Sequence, residues 1–309
     1  MTPYLALYQS GELLRRIRSA YSRLEACDLC PHRCGVNRIK GELGKCGSGL
    51  MPRIASANLH RGEEPPISGI RGSGTIFFSG CTLRCVFCQN FPISQKGNGE
   101  TISTAELAKR ILGLQKRGAH NVNLVTPTQW LPQILAALWL AIPQGFNLPI
   151  VWNSSGYETL ESLQFLDGIV SIYLPDMKYA DDSQAEELSA APGYTGINRT
   201  AVREMLRQVG HLQLDENGIA VQGLIIRHLV LPQGRAGSAE NLPWIAEHLG
   251  RETHIALMSQ YFPAYRASEE HGINRGLTHA EYDAAVEALE NAGLENGWVQ
   301  ELDRERERV

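Results

Sequence analysis

The chain has 309 residues and a net charge of −4, with 43% hydrophobic and 20% charged residues. That length supports one large α/β domain with a small appendage, or two modest domains, and the composition excludes a disordered chain or a fibrous repeat. No basic run marks a nucleic-acid footprint, no apolar stretch approaches the roughly 18 residues of a membrane span, and the N-terminus lacks a secretory pattern. Neither nucleic acid nor a membrane is an expected partner, and the cytoplasm is the expected address.

Residues 3–24 read as a helix whose apolar face carries Leu13, Leu14, Ile17, Tyr21 and Leu24. A cysteine-rich segment follows to about residue 50, and residues 51–74 (MPRIASANLHRGEEPPISGIRGSG), rich in Gly and Pro, read as a connector or ordered loop. A larger domain, 75–300, then begins with a short apolar strand, TIFFSG (75–80), and the helix 103–118, opened by Ser103 with Glu106 three residues later. Strands at 121–126, 149–154, 168–175, 223–232 and 253–259 alternate with helices around 129–141, 157–166, 181–190, 198–209, 238–249 and 278–292. The last of these helices is capped by Thr278 and Glu281.

Six such units predict a parallel sheet covered by helices. They fall short of the eight units, and about 250 residues, of a closed (β/α)8 barrel, so a partial (β/α)6 TIM-like barrel is the expected architecture, with a doubly wound sheet as the alternative. Either fold gathers its chemistry at the C-terminal ends of the strands.

Seven cysteines, an odd number in a chain with no export signal, argue against a disulfide framework. They divide into four and three. Cys27, Cys30, Cys34 and Cys46 are spaced x2, x3 and x11, which suits either a tetrahedral zinc site or an auxiliary 4Fe-4S cluster. Cys81, Cys85 and Cys88, spaced C-x3-C-x2-C directly after the first strand, provide three thiolates for three irons of a cubane and leave the fourth iron open to a ligand.

GCTLRCVFCQN (80–90), with Phe87 before the last cysteine, resembles the signature of radical S-adenosylmethionine (SAM) enzymes. Together with PDMKYAD (175–181) and RHLVLP (227–232), it is similar to the pyruvate formate-lyase activating enzymes and their relatives with an N-terminal four-cysteine segment. The resemblance covers about residues 5–300. It implies a 4Fe-4S cluster on Cys81, Cys85 and Cys88 that binds SAM and cleaves it reductively to a 5′-deoxyadenosyl radical, which abstracts hydrogen from a substrate. It further implies that Asp176 and Lys178 contact the methionine moiety or the substrate, that Arg227 reaches the SAM ribose or carboxylate, and that the backbone near Phe87 touches adenine. Asn153, at the end of the third strand, joins this cofactor-binding set.

The usual Gly-Gly-Glu of the second strand end is replaced by LVTPT (124–128), so Thr126 and Thr128 are expected to receive the SAM amino group. The implied partners are a flavodoxin or ferredoxin as electron donor and a glycyl radical enzyme or other protein as substrate. The competing readings are a radical SAM enzyme acting on a small molecule or peptide, and a non-catalytic iron-sulfur electron carrier. His60, Glu63 and Glu64, in a stretch stiffened by two prolines, are candidate substrate-side residues against a surface-loop default, and Gln260 and Tyr261 are candidates at the barrel mouth. Trp130, Trp139 and Trp244 read as packing residues, and His228, His248 and His254 as ordinary histidines.

Overall fold

The structure is a computed structural model and describes residues 3–270 and 272–302. Among these residues ten strands form: β1 (Arg53–His60), β2 (Ser73–Phe78), β3 (Glu100–Thr101), β4 (Val122–Val125), β5 (Ile150–Ser154), β6 (Ile172–Pro175), β7 (Gln213–Leu214), β8 (Ala220–Leu229), β9 (His254–Met258) and β10 (Gly297–Val299). The sheet runs β10-β9-β8-β6-β5-β4-β2-β1-β3, with β7 paired to β8. Every pairing from β2 to β10 along this path is parallel, and β1 is antiparallel to both β2 and β3.

The parallel strands succeed one another in chain order. A doubly wound sheet reverses its order at a switch point, and this one never does. Parallel crossovers are almost always right-handed, so a monotonic order places the connecting helices on one face and leaves the other as an interior. The fold is therefore an open α/β arrangement of the partial-barrel kind, with β10 as a short seventh parallel strand.

Side-chain alternation bears this out. Ile76, Leu124, Trp152, Tyr173, Leu224 and Ile226 join the main core with the helices, whereas Val151, Ile172, Leu174 and Ile225, pointing the opposite way, form a second cluster with Ala220 and Ile67. Ile67 belongs to a one-turn helix, Pro65–Ser68, inside the segment expected to be a connector. Its carbonyl accepts from the buried Asn121 side chain at 2.8 Å, which ties the turn to the floor of the barrel.

The segment 51–74 is thus more structured than its composition suggests. Only Ile54 of β1 is buried, so the strand lacks the alternation that would reveal it. The N-terminal helix is two helices, Tyr4–Gln9 and Glu12–Ser22, because Gly11 adopts φ 76° between them. Helix Thr104–Lys116 starts as expected, with Ser103 accepting from the Glu106 N–H, and helix His279–Asn291 has the full capping box of Thr278 and Glu281. No helix among the described residues is long and apolar enough to cross a membrane.

Candidate active site

Strand β2 delivers the chain through Gly80 (φ 79°) into the loop holding Cys81, Cys85 and Cys88. The loop is pinned to the helix Asp182–Ser189, whose end receives the Arg84 and Val86 N–H groups at the Ser189 and Leu188 carbonyls (2.8 and 2.9 Å). Each thiol has a polar neighbour: the Leu83 N–H points at Cys81 Sγ (3.4 Å), the Ser189 hydroxyl at Cys85 Sγ (2.9 Å), and Ser94 Oγ lies 3.0 Å from Cys88 Sγ. Burial raises the pKa of Cys81, and the neighbouring Cys85 and Cys88 raise it further; burial likewise pushes Cys85 up to about 11, with Lys178 pulling the other way.

Beneath the loop lies a buried ion network. Asp176, 8% exposed at the end of β6, takes Lys178 Nζ on one oxygen at 2.6 Å and Arg227 of β8 on the other, with Nη2 at 2.8 Å and Nε at 2.9 Å. Burial alone would raise the Asp176 pKa, but Arg227 and Lys178 overcome it and hold the carboxyl below its ordinary range. Burial alone would lower the Lys178 and Arg227 pKa values; Asp176 reverses this for both, aided by Cys85 for Lys178 and by Glu64 and Glu63 for Arg227. Tyr194 and Asn198 fix the network from below: the Asn198 amide and the Tyr194 hydroxyl donate to the Asp176 carbonyl at 2.9 and 3.1 Å, and the Lys178 N–H donates to the Tyr194 oxygen at 3.0 Å.

The structure brings Asp176, Lys178, Arg227 and Asn153 together as the strand-end rule requires. Asn153, 2% exposed, directs its amide at Glu63 (3.4 Å). Glu63 and Glu64 are half-buried and face Arg227 inside the barrel, and burial raises the pKa of each against the pull of Arg227. His60 is not part of this group; its ring packs edge-on to Phe77.

Phe87 is buried and packs edge-on against Tyr261 (5.9 Å), and the Gln89 side chain donates to the Gln260 carbonyl (2.9 Å), so the segment after β9 closes over the cysteine loop. Thr126 sits at φ 58°, an uncommon conformation for a β-branched residue, at the end of β4, with its carbonyl accepting from Gln129 at 2.8 Å. Thr128 is turned elsewhere: its hydroxyl donates to Glu158 (3.0 Å), a buried carboxylate also held by the Trp152 indole at 3.0 Å.

The four N-terminal cysteines gather around Cys30, whose pKa burial raises to about 12, with Cys46, Cys27 and Cys34 all close enough to push it further. Their segment abuts the triplet loop. His32 Nε2 lies 2.7 Å from the Thr82 carbonyl, and a Cβ on Gly80 would stand 2.7 Å from the Cys46 carbonyl. Arg38, 1% exposed, lies over the Trp130 ring and donates to the Gln129 carbonyl at 2.8 Å, while Trp130 donates to the Ser79 carbonyl at 3.0 Å.

Sequence reasoning did not find Ser94, Ser189, Tyr194 or Asn198, because serines against thiols and buried hydrogen-bond donors carry no spacing signal. Among the described residues no group of three or more His, Cys, Asp or Glu side chains closes around a metal ion as it stands. The triplet nonetheless suits a cubane, whose three thiolates ligate three separate irons and need not converge on one point.

Fold and site together define an α/β partial barrel with a thiol-bearing loop over a buried acid–base network. The chain is 34% identical over 290 residues, 91% of its length and 79% of the other, to "Uncharacterized protein MJ0674" of Methanocaldococcus jannaschii, and it belongs to the family of that protein. No family model matches. Solved structures similar to it include "Structure of TYW1 with a lysine-pyruvate adduct bound" (15% identity, 70% of this chain and 73% of that chain, TM-score 0.44). Another is that of a histidine-tagged anSMEcpe with bound AdoMet (8% identity, 74% and 56%, TM-score 0.43). Both overlaps are too loose to carry an argument about chemistry.

Proposed function

We propose that the protein is a radical SAM enzyme. The observation that carries this reading is the placement of Cys81, Cys85 and Cys88 on a loop at the C-terminal end of the first parallel strand, directly over Lys178, Asp176 and Arg227 from the ends of β6 and β8. A 4Fe-4S cluster on these thiolates, with SAM on its open iron, would supply a 5′-deoxyadenosyl radical for hydrogen abstraction. Ser189 and Ser94 orient the sulfurs of Cys85 and Cys88. Lys178 places a positive charge toward Cys85 and Cys81, which favours their thiolate forms.

Asp176 holds Lys178 and Arg227 in fixed positions, so both cations are presented without a reorganisation cost. Phe87 and Tyr261 form an apolar wall beside the loop, suited to a flat ring such as adenine. Thr126 turns out of line at its strand end and is the residue here for the SAM amino group; Asn153, expected in the cofactor-binding set, directs its amide at Glu63 and is assigned instead to the substrate side. Cys27, Cys30, Cys34 and Cys46 would bind a second metal, zinc or an auxiliary cluster. A flavodoxin or ferredoxin in the cytoplasm would deliver the electron, and a glycyl radical enzyme is the protein substrate that the motif resemblance favours.

Low-temperature electron paramagnetic resonance on anaerobically reconstituted, dithionite-reduced protein tests the reading. A cluster signal that changes when SAM is added is the expected result. A fully loaded cluster indifferent to SAM would leave an electron carrier instead.

A further inference from the structure

The turn before the one-turn helix Pro65–Ser68 is built to hold two carboxylates inside the barrel. The Glu63 N–H donates to Ser68 Oγ at 3.0 Å and that hydroxyl returns to the Glu63 carbonyl at 3.2 Å, while the Ile67 and Ser68 N–H groups close on the Glu64 carbonyl at 2.8 and 3.0 Å. Pro65 and Pro66 stiffen the helical turn itself. Neither side chain has a cation to itself. Arg227 faces both, but two of its nitrogens are bonded to Asp176, and Lys178 is bonded to Asp176 as well.

Three carboxyl groups (Glu63, Glu64, Asp176) thus share two cations (Lys178, Arg227), both of them already bonded to Asp176. The neutral neighbours sharpen the point. Asn123 is fully buried on the interior side of β4, since Val122 and Leu124 on either side of it face the helices. It lies near enough to Glu63 to draw that carboxyl's pKa down, yet neither atom of its amide makes a hydrogen bond of normal geometry, and Glu64 Oε2 is likewise buried and unpartnered. Two acceptors and one donor are thus left over in a place where an unmade hydrogen bond costs about 1–3 kcal/mol.

We infer that Glu63, Glu64, Asn123 and Asn153 form the substrate end of the barrel and bind a primary ammonium group with an oxygen beside it. The ammonium donates to Glu64 Oε2 and Asn123 Oδ1, the two acceptors left unpartnered; the adjacent oxygen accepts from Asn123 Nδ2. Such a group belongs to a small amino alcohol or to a lysine side chain near a peptide carbonyl. The inference rests on the radical SAM reading for the identity of this ligand as substrate, but the binding site stands on its own residues.

Titration calorimetry on the anaerobically reconstituted full chain tests it with three probes: 2-aminoethanol, its neutral counterpart ethylene glycol, and N-acetyl-lysine amide. Binding of one amine with at least a tenfold preference over the glycol is expected, falling at least tenfold in both Glu64→Gln and Asn123→Leu. Thermal unfolding of each variant establishes that it is folded, and Glu64→Gln keeps shape while removing the charge and turning one acceptor into a donor. Which amine binds distinguishes a small-molecule source from a protein one. Equal binding of glycol and amine, amine binding unchanged in folded Glu64→Gln, or no binding at millimolar concentration would each overturn the inference, the last leaving ordered water as the partner of these atoms. A SAM-responsive cluster without amine binding would defeat this inference alone, whereas amine binding without a SAM-responsive cluster would defeat only the radical reading.

Discussion

Asp176 concentrates the electrostatics of the site in one side chain. Both its oxygens are engaged by cations in a buried setting, so removing its charge takes away the one carboxylate bonded to both Lys178 and Arg227. Breaking a buried pair from one side costs roughly 3–5 kcal/mol, and Asp176→Asn is expected to lose that much in urea unfolding at pH 7. The pH dependence comes from the direction of the shift. The folded pKa lies below the unfolded carboxylate value of about 3.9, so the stabilisation is complete above about pH 4 and fades as the pH falls through the lowered folded value. Glu63 and Glu64 have raised values and the opposite sign: their contribution is present below the unfolded value of about 4.3 and lost as the pH rises through the folded ones. Stability measured from pH 2 to 7 should therefore show an acid limb that flattens in Asp176→Asn, and an unchanged limb in a folded variant would contradict the assignment.

At the scale of elements, the legible features of the sequence were those that repeat or cap. Helix Thr104–Lys116 and helix His279–Asn291 were read from Ser103 and Thr278 with their glutamates, and both caps form. The strand ends carrying Cys81, Asn153, Asp176 and Arg227 were marked by apolar runs between helices. Strand β1 and the turn at 61–68 were not, because composition marks Gly and Pro as loop but says nothing about where a loop goes; only the fold reveals that this one enters the barrel and brings Glu63 with it. Contact between the two cysteine segments was equally invisible. Gly80 makes that contact close: at φ 79°, a Cβ there would stand 2.7 Å from the Cys46 carbonyl and 2.9 Å from Ser48 Oγ. Gly41 has a similar φ of 86° with nothing within 4 Å. Gly41→Ala is accordingly expected to cost only the left-handed penalty, about 1 kcal/mol, and Gly80→Ala at least twice that, since backbone must move as well. Equal losses in chemical denaturation would mean that the two segments are not packed as described.

At the scale of the molecule, the separation of the two cysteine groups makes the proposal of two metal centres testable. The two cysteine groups lie on different elements, Cys81, Cys85 and Cys88 after β2 and the others before β1, and their segments meet through Gly80 and through His32 at the Thr82 carbonyl. Hydrogen bonds from backbone and side chains hold the N-terminal segment against the barrel whether or not the triplet carries iron. If each group holds a metal as proposed, the triple replacement of Cys81, Cys85 and Cys88 by alanine should remove one centre's iron and leave metal at the N-terminal cysteines unchanged, as read by elemental analysis and the visible spectrum of reconstituted protein. The reverse replacement, Cys27→Ala with Cys30→Ala, should spare the triplet's iron but lower the temperature of unfolding, because Cys27 and Cys30 are both buried, Cys27 packs in a small cluster with Leu24 and Leu29, and a metal held there would add to so small a core. Loss of all metal from either variant would mean that the seven thiols serve a single site, and the open corner that the radical chemistry needs would then have to be found elsewhere.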